Sequence, residues 1–253
     1  MQEYILALAG IATFIFTTVL TVAGLGAAFI LIPIFLMLNI PLLEAMSTAL
    51  LLNAISMTLA SVSYAREKLI IYKIAVPILI AATILSPLGA LTAKNLPRNV
   101  LLWLFVGFLA FAGSMMLFYR PKRTETSESA TKSAAYGVAI GSFAGYVGGL
   151  LGVGGGNMIV PVLVWLGIDP KKAAATTALV VVFSSFSGFL GHVAFGDMDT
   201  SLLAICSVGS MLGAIFGAHL MKKRLNSEQV KVVTGLVLYL VAAKTVFDLL
   251  FGK

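Results

Sequence analysis

Charge is what this chain has least of. Only 11% of its 253 residues are Asp, Glu, Lys or Arg, against about a quarter in an ordinary soluble domain. A soluble globule could not cover itself with so few charges, so that class is excluded. Cysteine is scarcer still: Cys206 stands alone, which excludes a disulfide scaffold. Intrinsic disorder is excluded by a hydrophobic content of 60% and a mean hydropathy of +1.04. Carboxylates are also missing from the middle of every apolar run. Glu3, Glu44, Glu67, Asp169, Asp197 and Asp199 fall at segment ends or in loops, Glu125, Glu128 and Glu228 in loops, and Asp248 near the C-terminus. Proton- and sodium-driven antiporters place a carboxylate mid-span, so a carboxylate-coupled mechanism lacks its residue here.

What the chain does have is apolar runs. They cover approximately 4–23, 27–38, 42–64, 70–93, 99–119, 133–151, 157–168, 173–195, 199–221 and 229–251. Most reach the roughly 20 residues that cross a bilayer as a helix, so the chain reads as an all-α polytopic membrane protein. The excess of base, +7 with a pI near 9.6, sits in short loops between runs. There it sets orientation rather than binding nucleic acid. Met1-Gln2-Glu3-Tyr4 puts no basic residue before the first run and shows no cleavage site, so that run is expected to be a permanent helix. Segments 27–38 and 157–168 are short. Each follows a glycine cluster and contains a proline, Pro33 or Pro161, which predicts broken or partial helices.

The two halves repeat. Pro161 stands 128 residues after Pro33, and the same spacing pairs Gly24 with Gly152, Gly26 with Gly154, Thr48 with Thr176, Ser56 with Ser184 and Gly107 with Gly235. Charge then separates parallel from inverted repeats. Loop 66–73 carries Arg66, Lys68 and Lys73, whereas its counterpart 194–201 carries Asp197 and Asp199. Equivalent loops of opposite bias belong on opposite sides of a membrane. The reading is two inverted-topology repeats, 1–119 and 133–253, each with four to five membrane segments including a glycine-broken helix, joined by a cytoplasmic linker at 120–132. With both termini outside, the cytoplasmic loops hold 13 of the 17 basic residues and leave Lys94, Arg98, Lys244 and Lys253 outside.

Inverted repeats with broken helices are an architecture of secondary transporters, which hold substrate near the midplane between the repeats. Gly152, Gly154, Gly155 and Gly156 let backbone approach a ligand, and the helix that follows favours an anion at its N-terminus. Asn157 adds a side-chain amide, and Gly24 and Gly26 mirror the cluster. Glycines also let membrane helices pack closely, and both readings stand at this stage. Thr48, Asn53, Thr176 and Thr177 are polar groups inside apolar runs, where such groups face the interior. A hydroxyl there also bonds readily to the carbonyl one turn back. Ser184, Ser185 and Ser187 fit a cavity lining and small-residue packing equally. His192, near the end of its run, is a candidate proton site. No histidine has the company that a metal site needs.

Gly152-Val-Gly-Gly-Gly-Asn157 followed by Val160-Pro161, then Ala173 to Thr177, then Gly196-Asp-Met-Asp199, resembles the sulfite exporter TauE/SafE family of membrane permeases. The likeness spans both halves. The first half departs from it, because Gly24-Leu-Gly-Ala-Ala-Phe29 lacks the third and fourth glycines and the asparagine. The resemblance implies a transporter, in the exporting sense, of a small anion such as sulfite or an organosulfonate. It implies no enzyme, cofactor or metal; the partners are the anionic substrate and membrane lipid, and a homodimer is compatible with it. The alternatives are a proton-coupled permease for an organic acid and a non-transporting scaffold or sensor. The scaffold leaves the mirrored glycine breaks unexplained. Reporter fusions after Lys73 and after Gly196 are expected to report opposite sides of the cell membrane; a same-side result ends the inverted reading.

Overall fold

The computed structural model describes residues 2–37, 40–118, 134–193 and 200–251, and the regular structure among them is entirely α-helical. The helices are α1 (Gln2–Ala23), α2 (Ala28–Met37), α3 (Leu42–Arg66), α4 (Tyr72–Ala93), α5 (Arg98–Phe118), α6 (Ala134–Leu150), α7 (Gly156–Trp165), α8 (Pro170–Val193), α9 (Thr200–Lys223) and α10 (Ser227–Phe251). Seven of them are long and apolar enough to cross a membrane, and α6 adds the shorter apolar stretch Ala135–Leu150. The ten residues of α2 and of α7 span only about 15 Å, half of a ~30 Å hydrocarbon core. Helix starts follow the spacing of the repeat: Ala28 and Gly156, Leu42 and Pro170, and Tyr72 and Thr200 each stand 128 residues apart. The segment 120–132 and the Gly196–Asp199 motif lie outside the described residues.

α3 and α8 form the middle. Their windows are 72% and 67% buried, against 39% for α4, α5 and α9. Ile80, Ile84, Leu88 and Leu91 of α4, like Val208, Leu212 and Ile215 of α9, are exposed at helical spacing, as a lipid-facing stripe requires. Glycines set how closely the helices approach. A Cβ at Gly141 would lie 2.4 Å from Ile78 O, at Gly145 2.4 Å from Ala82 Cα, and at Gly149 2.0 Å from Ser86 O, so α6 rests directly on α4 backbone. Gly209, Gly213 and Gly217 rest likewise on Gly10, Phe14 and Thr18, bringing α9 onto α1.

These contacts also fix direction. Along α6 and α4 the contact points rise together, as they do along α9 and α1, so each pair runs parallel. α3 and α8 run antiparallel, because Asn53 meets Ser185 while Leu50 lies beside Gly188. α5 and α10 are antiparallel too, since Gly235 meets Leu117 and Tyr239 meets Gly113. Each helix in these two pairs thus faces, antiparallel, the helix that begins about 128 residues away from it. Lys222 Nζ, 3.6 Å from Glu67 Oε1, ties the ends of α9 and α3 on one face. The start of α8 joins that face through Ile71 N, which donates to Thr176 Oγ1 at 3.0 Å. Arg66, Lys68, Lys73, Lys171, Lys172, Lys222, Lys223 and Arg224 therefore gather on one side of the molecule.

Candidate functional site

The site is built from two helix breaks made the same way. α1 ends with Leu25 N donating to Leu20 O (3.2 Å) and Gly24 N to Thr21 O (3.0 Å); α6 ends with Val153 N to Gly148 O (2.8 Å) and Gly152 N to Gly149 O (3.2 Å). Both are Schellman ends, which need a left-handed residue just past the helix. Gly24 (φ 69°) and Gly152 (φ 68°) supply it. A second left-handed glycine, Gly26 (φ 74°) or Gly154 (φ 72°), then turns the chain into the half-length helix. Gly155 (φ 74°) continues the turn in the second half alone and stands at the N-cap of α7. Its counterpart in the first half is Ala27.

The breaks meet at the centre, with Asn53 of α3 between them. A Cβ at Gly26 would lie 1.8 Å from Asn53 Oδ1, and one at Gly154 would lie 3.0 Å from Asn53 Nδ2 and 2.1 Å from Ser185 Oγ. Asn53 Nδ2 donates to Ser185 Oγ at 3.0 Å, and Ser184 Oγ donates to Gly154 O at 2.8 Å. Gly156, the first residue of α7, faces Leu25 O of the other break, where a Cβ would lie 2.8 Å away. Packing as well as backbone angle therefore demands glycine here, and a side chain at Gly155 would meet Ala144 O at 2.6 Å. All of these residues are buried. Asn53 Oδ1 has no hydrogen-bond partner among the described residues.

Of the residues expected at the site, Gly26, Asn53, Gly154 and Gly156 come together, with Gly24, Gly152 and Gly155 in the adjoining turns. Thr176 is buried, but its hydroxyl accepts Ile71 N at the start of α4. Thr177 is buried with Oγ1 lacking a partner among the described residues. It precedes Ser185 by eight residues, about 12 Å along α8, toward the basic face. Thr48 is buried on α3, five residues from Asn53 toward the opposite face. The side chain of Asn157 lies outside the described residues. Ser184 and Ser185 prove central, and their signal was the pairing of Ser56 with Ser184 at the repeat spacing. His192 is fully buried near the end of α8, with Nδ1 3.1 Å from Gly188 O. Tyr64, unmarked in the sequence reading, is buried and donates its hydroxyl to Thr21 O at 2.8 Å.

Among the described residues, every group at the centre is neutral: the Asn53 amide, the Ser184 and Ser185 hydroxyls, and the N-terminal ends of α2 and α7. Such a set can hold an anion by hydrogen bonds and helix dipoles. No group of three His, Cys, Asp or Glu able to hold a metal occurs among the described residues.

A helical membrane protein whose half-length helices start from a shared polar centre has the build of a secondary transporter. The family model described as "Sulfite exporter TauE/SafE" matches residues 8–245, and the chain belongs to that family. It is similar to "Probable membrane transporter protein YunE" of Bacillus subtilis, 25% identical over 260 residues that cover 93% of this chain and 95% of the relative. "Probable membrane transporter protein YdhB" of the same organism is 27% identical over 76% of this chain and 80% of its own length. "Sulfite exporter TauE/SafE family protein 1" of Arabidopsis thaliana is 35% identical over 80 residues, 32% of this chain and 18% of that protein. No solved structure matches. The protein is a membrane transporter, not an enzyme.

The contact between Gly26 and Asn53 predicts a coupled pair. Gly26→Ala is expected to lower stability by about 1–3 kcal/mol, the range for overpacking. Asn53→Ala removes the atoms in the way, so the double variant should be more stable than the sum of the singles by over ~0.5 kcal/mol. Thermal unfolding of the four proteins in detergent measures this; strict additivity would mean that the Asn53 amide does not rest on Gly26.

Proposed function

We propose that the protein exports a small anion, sulfur-containing such as sulfite or an organosulfonate, by alternating access at a midplane site between two inverted repeats. The observation that carries the reading is the meeting of the two breaks. α2 and α7 both start at the centre and leave toward opposite faces, so their positive ends converge on the Asn53 amide. Substrate sits against Gly152, Gly154, Gly155, Gly156 and Asn157, with Gly24, Gly26 and Asn53 opposite. Thr48, Thr176 and Thr177 flank the path on either side of that centre. The antiparallel courses of α3 with α8 and of α5 with α10 support inversion of residues 1–119 against 133–253. Gathering of basic residues on one face supports a cytoplasmic assignment for that face in the inner membrane. Both termini are then outside. The family's description and the Arabidopsis relative, which name a sulfite exporter, favour a sulfur oxyanion.

With only neutral groups at the centre, membrane potential drives the anion out. Moving one charge through 100 mV yields about 2.3 kcal/mol, roughly a fiftyfold gradient. A second reading, a proton-coupled permease for an organic acid, draws on His192, whose Nε2 is buried without a partner among the described residues. Proteoliposomes loaded with sulfite separate the two. Efflux should follow an imposed potassium diffusion potential and need no pH gradient. Efflux that tracks a pH gradient at zero potential and is lost in His192→Ala would make protons the driving species.

A further inference from the structure

The two breaks are not tied down alike. In the first half, the Tyr64 hydroxyl donates to Thr21 O at 2.8 Å. That carbonyl already accepts Gly24 N at 3.0 Å, so Tyr64 clamps α3 to the Schellman end of α1. The 128-residue spacing puts His192 where Tyr64 stands and Gly149 where Thr21 stands. Gly149 O accepts Gly152 N at 3.2 Å, matching the first half. His192 makes no such clamp. Its Nδ1 lies 3.1 Å from Gly188 O, and a carbonyl only accepts, so Nδ1 carries the hydrogen. In a neutral ring Nε2 is then an acceptor, and it is buried with no hydrogen-bond partner among the described residues. An acceptor cannot bond the Gly149 carbonyl. A second proton makes Nε2 a donor that can.

We propose that Tyr64 and His192 are paired positioning residues, one for each broken helix: Tyr64 holds the first break at all times, and His192 holds the second only when its ring carries both protons. The pairing rests on the inverted-repeat reading given above. Imidazole is shorter than phenol, so the second clamp closes only as the end of α6 draws toward α8. Protonation therefore selects one of two arrangements of the second break. The packed surroundings leave that switch to His192. α4 presents Pro87 and Ala90 against Gly191, and α3 presents Leu50 against Gly188, none of them titratable. On α6, Tyr146 is engaged with Thr92 Oγ1 at 3.2 Å, and α7 carries no charged residue. Charged residues on the helices packed against α8 are Glu3 on α1, Glu44 and Arg66 on α3, Lys73 on α4 with Lys94 just past it, and Glu228, Lys231, Lys244 and Asp248 on α10, which also carries Tyr239. Arg66, Lys73, Glu228 and Lys231 belong to the basic end, opposite His192. Asp197 and Asp199 follow α8 outside the described residues.

Amide hydrogen exchange on the full-length protein in detergent reads the clamp without relying on transport. Protection of residues 148–153, relative to unstructured amides, should rise roughly tenfold between about pH 8 and pH 4.5, the gain from one hydrogen bond to a charged donor. His192→Phe, and His192→Gln as a second non-titrating variant, should abolish that rise. His192→Tyr should give high protection at both pH values. Tyr64→Phe should lower protection at residues 20–25 and leave the pH response of 148–153 intact. A wild-type pH response persisting in His192→Phe and His192→Gln, or low protection in His192→Tyr, overturns the proposal. Flux of methanesulfonate, whose charge does not change with pH, is followed in parallel in proteoliposomes. Absent flux with the exchange response intact removes the anion reading and leaves the clamp standing.

Discussion

Lipid cannot hydrogen-bond, and this constraint governs the rest of the structure. A helix interrupted inside a bilayer frees backbone groups that must find partners within the protein. Both interruptions solve the problem first by Schellman closure at Gly24 and Gly152. Side chains from the central helices then take what is left. Tyr64 serves the Thr21 carbonyl, Ser184 serves Gly154 O, and Thr176 receives Ile71 N. Ser86 on α4 donates in turn to Ser184 O at 2.8 Å. Ser184 and Thr176 of α8 thus serve backbone left free at a break and at a helix start, whereas Ser47, Ser56 and Ser61 of α3 donate to carbonyls three residues back in their own helix.

Close packing follows from the same demand. α4 can approach α6, and α1 can approach α9, because glycines present bare backbone at successive turns. Those contacts enclose α3 and α8, and the breaks fill the space between them. The resulting centre has hydrogen bonds and helix ends to offer but no formal charge. Among the described residues there is no fixed cation there, so an anion on the proposed path would keep its charge as it crossed and would feel the membrane potential directly. The asymmetry of the centre comes from one position. Asn53 occupies a site whose counterpart in the second half is Val181, so a single amide serves both breaks.

Much of the architecture was legible in the sequence because its signals are local. A glycine cluster followed by a short apolar segment marks a break locally, and the segments 27–38 and 157–168 correspond to α2 and α7 with ends within three residues. The repeat spacing was legible because no gap interrupts it. What was not legible depended on distant partners. Thr176 reads from the sequence as a polar group in an apolar run, and only the fold shows its hydroxyl accepting Ile71 N from 105 positions earlier. Tyr64 reads as one aromatic in an apolar run until Thr21 appears beneath its hydroxyl. Close packing, which the sequence left open as the role of the 152–156 cluster, is what Gly141, Gly145 and Gly149 do along the preceding helix. At Gly154 packing and candidate site coincide, because the residues it packs against are Ser185 and Asn53.

The central claim is that the buried junction of the two breaks is the point substrate passes, open to one side of the membrane at a time. Ser185→Cys, in a Cys206→Ser background, places a single thiol beside Asn53. Membrane-impermeant thiol reagents applied from either side of oriented vesicles, with and without methanesulfonate, which does not consume the reagent, test the claim most directly. Modification is expected from both sides in separate experiments, slowed from each side by methanesulfonate. A thiol that stays unreactive from both sides in folded protein would mean that the junction is sealed packing and that the path lies elsewhere.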